Sequence, residues 1–182
     1  MALKSTIFKA ELAIADMDRH YYRDHALTLA RHPSETDERL MVRVLAFALL
    51  ADERLEFGKG LSDTDEPDLW QKDYTGAVEC WVEVGLPDER RITRAAGRAG
   101  KVVVLAYGGN AANIWWKGVE TKLTRLSNLT VLNLPLEASQ ALAALAQRSM
   151  RLHATIQEGH VLISNGDDTV EIQPEVWRKA DE

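Results

Sequence analysis

Two acidic residues fall on one face of the clearest strand in this sequence, a pattern that could carry chemistry. The strand is predicted over residues 77–86, and side-chain alternation places Glu79 and Glu83 on the same side as Trp81. Carboxylates on the face of an apolar strand require solvent, a cation or a basic side chain, because burying them alone is costly. This strand is therefore the first candidate for a site of chemistry.

Further carboxylates extend the pattern toward a metal site. Asp68 lies at a short strand predicted just before the acidic strand, and Glu53 or Glu56 lies beyond the preceding helix, with Glu53 favoured. Several carboxylate oxygens with room for water are the ligands that Mg²⁺ prefers, and Mn²⁺ is the alternative cation. A metal held by Asp68, Glu83 and Glu53 would polarise a phosphoryl oxygen and generate a hydroxide nucleophile.

A basic helix follows the acidic strand. Arg91, Arg94 and Arg98 fall within a narrow arc of a helix predicted over residues 87–99. Such an arc is suited to phosphate oxygens and to the negative charge that develops on them during phosphoryl chemistry. The alternative is an ion pair between Glu83 and Arg91 or Arg94, which would satisfy the acid without a metal.

The remaining pattern supplies the elements that must position these residues. Polar–apolar alternation predicts an antiparallel hairpin at residues 5–31 and a meander at residues 152–172 with turns at Glu158–Gly159 and Asn165–Gly166. Strands and helices alternate between these ends, which is typical of right-handed βαβ crossovers. The predicted central elements are helix 34–51, strand 68–70, strand 77–86, helix 87–99, strand 101–107, helix 111–126, strand 129–134 and helix 135–148. We expect an α/β fold with a mixed central sheet, helices on both faces and antiparallel hairpins at its flanks.

Composition limits the classes of protein to which this chain can belong. Its 182 residues include 22 basic and 28 acidic side chains, a formal net charge of −6, and 46% of them are hydrophobic, which is enough for a packed core. The length predicts a single domain over residues 1–182. A single cysteine, no apolar block at Met1–Thr6 and no apolar run of membrane-spanning length predict a cytoplasmic protein without a membrane partner. The acidic balance leaves nucleic acid as a partner only through a local basic patch.

Short motifs around the acidic strand resemble a known nuclease superfamily. Pro67–Asp68, followed by a strand that carries Glu83, is similar to the signature of the PD-(D/E)XK nucleases. The whole chain resembles more closely the YaeQ family of small bacterial proteins. The stretches that carry this second resemblance are Ala30–Glu35, Glu53–Phe57, Gly60–Leu61, Asp65–Pro67 and Trp81–Ile92.

The YaeQ resemblance implies a variant of the restriction-endonuclease-like PD-(D/E)XK fold with a metal-dependent, nuclease-like site. By position, Asp68 matches the first acid of the superfamily motif and Glu83 matches the second. The motif lysine falls on Gly85, and this departure removes the main non-metal catalytic group of the superfamily. The candidates to replace it are Arg91 on the following helix, Lys101 at the start of the next strand, and Lys72.

Two functions follow from this pattern. The first is a Mg²⁺-dependent nuclease or phosphodiesterase in which Asp68, Glu83 and Glu53 bind the metal. The alternative is a non-catalytic regulatory or interaction module on a nuclease scaffold, which Gly85 and the acidic net charge favour. Carboxylates of Asp68 and Glu83 within about 5 Å of each other would fit a shared cation. Separate pairing of each acid with arginine would fit the alternative.

Overall fold

A computed structural model describes residues 4–181 of the chain. Met1–Leu3, part of the start interpreted above, and Glu182 lie outside the described residues. Contacts divide the chain into two compact units, the first formed by the residues up to Ala51 with Glu137–Gln173, and the second by Asp52–Leu136 with the residues from Pro174 onward. The expectation of a single domain over residues 1–182 stays a prediction. Between residues 4 and 181, no helix has the length and apolar character needed to cross a bilayer.

Strands and helices alternate through the middle of the chain, as the sequence predicts. The strands are β1 (Thr6–Asp16), β2 (Tyr21–Arg31), β3 (Leu55–Phe57), β4 (Leu69–Lys72), β5 (Val78–Val84), β6 (Ala99–Ala106), β7 (Leu129–Asn133), β8 (Ser149–Gln157), β9 (His160–Ser164), β10 (Thr169–Ile172) and β11 (Glu175–Arg178). The α-helices are α1 (Asp37–Leu50), α2 (Glu89–Arg98), α3 (Asn110–Val119) and α4 (Leu136–Ala143). The α/β class with mixed sheets is therefore confirmed.

The first unit contains a five-stranded sheet in the order β10-β9-β8-β1-β2. The predicted hairpin β1–β2 and the predicted meander β8–β9–β10 are both present, with antiparallel pairing in each. They do not flank a central sheet, however, because β1 and β8 pair in parallel and join the two pieces into one sheet. The buried side chains of β1 and β8 share one face of that sheet: Phe8, Ala10, Leu12, Ile14, Met150, Leu152, Ala154 and Ile156. Because β1 and β8 bury side chains on the same face, pairing them places one continuous apolar face against the core.

The helix ends of the first unit differ from the prediction for local reasons. Helix α1 begins after Thr36, whose hydroxyl accepts the backbone N–H of Arg39 at 3.1 Å, and not at Ser34. Glu35 instead forms a buried ion pair with Arg43, in which Arg43 Nη2 lies 2.6 Å from Glu35 Oε1. Helix α4 ends at Ala143, five residues before the predicted end at about Arg148, and the alternating pattern of β8 begins at Ser149.

The second unit contains a six-stranded sheet in the order β11-β7-β6-β5-β4-β3. Strands β5, β6 and β7 are parallel, and β4, β3 and β11 add antiparallel pairs at the two sides. Helices α2 and α3 both pack on one face of this sheet. The expectation of helices on both faces of a central sheet stays a prediction. The cluster beneath them consists of Trp81, Ile92, Ala95, Val102, Val104, Leu123, Leu129 and Val131, with Trp115 and Trp116 packed against it. The predicted candidate site lies entirely in this unit.

Candidate active site

Asp68 is held in a fixed position immediately before β4. The residue is 1% exposed, its backbone N–H donates to the Val82 carbonyl at 3.1 Å, and its Oδ2 accepts the Val84 N–H at 2.8 Å. Gly60 packs against the other carboxylate oxygen. A Cβ at Gly60 would lie 2.6 Å from Asp68 Oδ1, and Gly60 has a left-handed φ of +49°. The loop therefore approaches the acid at a distance that only glycine permits.

Glu83 lies near the carboxyl end of β5 and is 4% exposed. Its Oε1 accepts two hydrogen bonds, from Trp81 Nε1 at 2.8 Å and from Arg91 Nε at 2.7 Å. Burial and, next, the negative charge of Asp68 raise the pKa of Glu83 above its ordinary value of 4.5, although the contacts with Trp81 and Arg91 oppose the shift. The negative charge of Asp68 therefore disfavours ionisation of Glu83, and a nearby positive charge favours it.

Arg91 links this acid pair to the acidic loop that precedes Asp68. Besides its contact with Glu83, its guanidinium donates to the carbonyl of Thr64 at 2.7 Å and to that of Glu66 at 3.0 Å. Helix α2 presents Arg91 in this direction because Asp88 caps its first turn, accepting the Arg91 N–H at 2.8 Å. The predicted ion pair between Glu83 and Arg91 is thus present.

The cluster lies at the edge of the sheet where parallel strands end. Residues on β5 and β6 pair as Trp81 with Val102 and Glu83 with Val104, so Glu83 faces the same side as α2. Asp68 enters from the adjacent antiparallel strand at the same level, as its contact with Val84 requires. The carboxyl ends of parallel strands are the edge at which open α/β sheets bind ligands.

Other residues predicted for the site lie elsewhere. Lys101 pairs in register with Cys80. Side chains alternate along a strand, so Cys80 and Glu83 point to opposite faces of β5, and Lys101 lies on the face opposite Glu83. Glu53 is exposed in the turn before β3. Glu79 bonds to Arg54 at 3.2 Å and to Gln71 at 2.9 Å, beside a register shift at Gln71–Lys72. Within residues 4–181, no three histidine, cysteine, aspartate or glutamate side chains form a group able to hold a metal ion.

Comparison with known proteins identifies the family. A family model described as YaeQ protein matches residues 1–174 of this chain. The chain belongs to the YaeQ family. The uncharacterized protein YaeQ of Salmonella typhi is 46% identical over 179 residues, which are 98% of this chain and 99% of that protein. The Escherichia coli K12 YaeQ is 44% identical over the same span, with the same coverage.

Solved YaeQ structures have the same fold as this chain. The crystal structure of YaeQ from Xanthomonas axonopodis pv. citri is 53% identical, superposes with a TM-score of 0.93, and covers 97% of this chain and 99% of that one. YaeQ from Pseudomonas syringae is 38% identical, with a TM-score of 0.92 and coverage of 96% and 97%. The arrangement of strands around the acid pair is therefore that of a YaeQ protein.

Two contacts of the YaeQ acid pair were not predicted from the sequence. Trp81 was expected on the face of Glu83, but its role as the second hydrogen-bond donor to that carboxylate depends on side-chain geometry. The approach of Gly60 to Asp68 is the second contact. The closely spaced Gly58 and Gly60 in the segment before Pro67–Asp68 were the available sign that backbone passes close to a functional side chain.

The donor set of the acid pair fits a hard divalent cation. Mg²⁺ in enzymes commonly binds through one or two carboxylates and fills its other positions with water and substrate phosphate oxygens. Asp68 and Glu83 supply two carboxylates, and both hydrogen bonds to Glu83 end on Oε1. Glu83 Oε2 and the Asp68 carboxylate are thus the oxygens that would hold such an ion.

Proposed function

We propose that this YaeQ protein is a divalent-metal-dependent phosphodiesterase of the nuclease type. In this proposal Asp68 and Glu83 hold Mg²⁺ or Mn²⁺, and Arg91 binds a phosphate oxygen of the substrate. The observation that carries it is that two almost fully buried carboxylates lie near enough for the charge of Asp68 to raise the pKa of Glu83. Such a pair of like charges is unfavourable for folding alone, and acids with shifted pKa values are enriched at functional sites.

Each residue of the cluster has a defined task in this proposal. Trp81 fixes the orientation of the Glu83 carboxylate through its indole N–H. Arg91 takes the place of the missing motif lysine, since Lys101 lies on the other face of the sheet. Its guanidinium fork matches phosphate oxygens, which in this proposal replace the two backbone carbonyls that it contacts in the free protein. When bound, the cation supplies Lewis acidity toward a phosphoryl oxygen and lowers the pKa of a water molecule.

Hydrolysis of bis(p-nitrophenyl) phosphate tests the proposal without a guess about the natural substrate. We expect turnover that requires Mg²⁺ or Mn²⁺ and falls at least about 100-fold in Asp68→Asn, because even residues outside the ligand shell of a metal affect activity by 10–100-fold. Glu35→Gln is the matched control, since it removes another buried, arginine-paired carboxylate. Metal-independent turnover, or equal turnover in Asp68→Asn and wild type, would contradict the proposal.

A second candidate is a non-catalytic regulatory or interaction module built on the same scaffold. The specific observation that favours it is the 2.7 Å ion pair between Glu83 and Arg91, which already neutralises one of the two acids. Gly85 at the motif lysine position agrees with it. Under this candidate the wild type hydrolyses no phosphodiester and binds no divalent cation at the acid pair, so the same assays separate the two.

A further inference from the structure

A row of tryptophan and basic side chains extends from the acid pair along β4 and β5. Asp68 and Trp70 alternate onto one face of β4, and Trp70 pairs in register with Trp81 on β5. The register shifts between Gln71 and Lys72, and the ammonium of Lys72 lies over the Trp70 ring. The two indole rings are 6.0 Å apart in an edge-to-face arrangement. We call Trp70, Lys72, Trp81 and Arg98 the tryptophan strip.

Cations lie over both aromatic rings of the tryptophan strip. The ammonium of Lys72 is 3.8 Å from the centre of the Trp70 ring, and the guanidinium of Arg98 is 5.6 Å from the centre of the Trp81 ring. Arg98 is exposed and Trp70 and Lys72 are half-buried, whereas Trp81 is 3% exposed and belongs to the core beneath them. These cations make no ion pair with a carboxylate among the described residues, so their charge remains available to an anionic ligand.

Helix α2 connects the tryptophan strip to the acid pair. Arg91 and Arg98 are seven residues apart and therefore lie on the same stripe of α2. Arg91 contacts Glu83 at one end of this stripe, and Arg98 contacts the ring of Trp81 at the other. A ligand on the strip would therefore have cations along its length and the two acids at one end.

We propose that the tryptophan strip binds single-stranded nucleic acid, with an unpaired base stacked on Trp70 and the backbone phosphates on Lys72 and Arg98. An aromatic ring flanked by cations is a pattern of sequence-tolerant single-strand binding, since every base has a stacking face and every linkage has a negative charge. Trp70 is the ring of the strip that reaches the surface, and Lys72 and Arg98 are the flanking cations. A duplex keeps its bases stacked on each other and offers none to Trp70. This inference rests on the proposed function in treating the bound strand as the substrate of the acid pair.

The binding step is tested in EDTA, where the metal plays no part. The probe is a fluorescein-labelled oligothymidylate of about 15 nucleotides, near the upper site size of a single-strand groove, followed by fluorescence anisotropy. Wild type is expected to bind it saturably, and Trp70→Leu to bind about tenfold more weakly, which is the usual effect of losing one stacking ring. Trp70→Phe keeps a ring and is expected to retain binding.

Surface charge variants keep the test informative if Trp70→Leu fails to fold. Lys72→Gln and Arg98→Gln are each expected to reduce the slope of log affinity against log salt by about 0.7, as for one lost phosphate contact. Lys122→Gln, an exposed lysine of the same unit outside the strip, is expected to leave the slope unchanged. Absence of saturable binding in wild type, or equal binding of a duplex together with an unaffected Trp70→Leu, would overturn the inference.

The outcomes separate this inference from the proposed function. Strand binding in EDTA by a protein that neither binds metal nor hydrolyses phosphodiesters would support the tryptophan strip and overturn the phosphodiesterase. Metal-dependent hydrolysis by a protein that does not bind the oligonucleotide would do the reverse.

Discussion

Arg91→Met is expected to lower the free energy of unfolding by about 3 kcal/mol, because removing one partner of a buried ion pair leaves an uncompensated charge. The side chain of Glu83 is 6% exposed, and that of Arg91 is 25% exposed. The substitution also releases the carbonyls of Thr64 and Glu66 from the guanidinium. Chemical denaturation measured side by side with wild type gives the change directly.

The stability loss of Arg91→Met depends on pH in a direction that the structure fixes. Burial and Asp68 raise the pKa of Glu83, and removal of the opposing Arg91 raises it further. The folded variant then binds a proton more tightly than the unfolded chain, so its stability falls as pH rises from the ordinary value of Glu83 through the raised one. The deficit relative to wild type is therefore smallest in acid.

Two variants control for effects of Arg91 other than its charge. Arg94→Met removes an exposed arginine from the same helix and is expected to change stability by about 0.5 kcal/mol or less. Glu83→Gln added to Arg91→Met removes the uncompensated charge and is expected to recover most of the loss. A deficit in Arg91→Met no larger than in Arg94→Met would show that the pair contributes little.

Gly60→Ala is expected to destabilise the second unit by about 2 kcal/mol, through a strained backbone and a steric clash together. Its φ of +49° disfavours any residue with a Cβ, and the added methyl would lie 2.6 Å from Asp68 Oδ1. Asp68 cannot move away freely, because Val84 holds its other oxygen at 2.8 Å. The variant should therefore also disturb any function of the Asp68 carboxylate.

Gly76→Ala isolates the backbone contribution to the Gly60→Ala effect. Gly76 has a φ of +90°, but a Cβ there would meet nothing within 4 Å. Backbone strain alone predicts at least as large a loss at Gly76, since +90° lies further from the left-handed helical minimum. Thermal unfolding of both variants provides the comparison. An equal or smaller loss in Gly60→Ala would mean that the loop yields and Asp68 is not held tightly.

Local patterns in the sequence predicted most of the helices and strands. The alternation in β1 and β2, the unbroken apolar run of β6 and the capped start of α2 at Asp88 depend on neighbouring residues alone. The parallel pairing of β1 with β8 joins segments more than a hundred residues apart, and no local pattern records it. The short edge strand β11 was not predicted, because its four residues have little pattern of their own.

Two acids of the candidate site and one of its cations were predictable from the sequence, whereas Glu53 and Lys101 lie away from them. Asp68 and Glu83 were found through motif spacing and family resemblance, and Arg91 through its position on the following helix. Lys101 depends on the register between two parallel strands, which places it beside Cys80 and away from Glu83. The environment of Glu79 depends on a register shift opposite β4, which an alternation count along a single strand cannot detect.

Calorimetric titration of the metal-free protein with Mg²⁺, and separately with Mn²⁺, tests the central claim most directly. The account predicts saturable metal binding in wild type and in the buried-acid control Glu35→Gln. It predicts loss of that binding in folded Glu83→Gln and in folded Asp68→Asn, because each of these two substitutions removes one of the two metal-binding carboxylates. Thermal unfolding with and without metal should agree, since a ligand that binds only the folded state raises the melting temperature. Absence of saturable binding in wild type, or binding unchanged in Glu83→Gln, would contradict the assignment of the acid pair as a metal site.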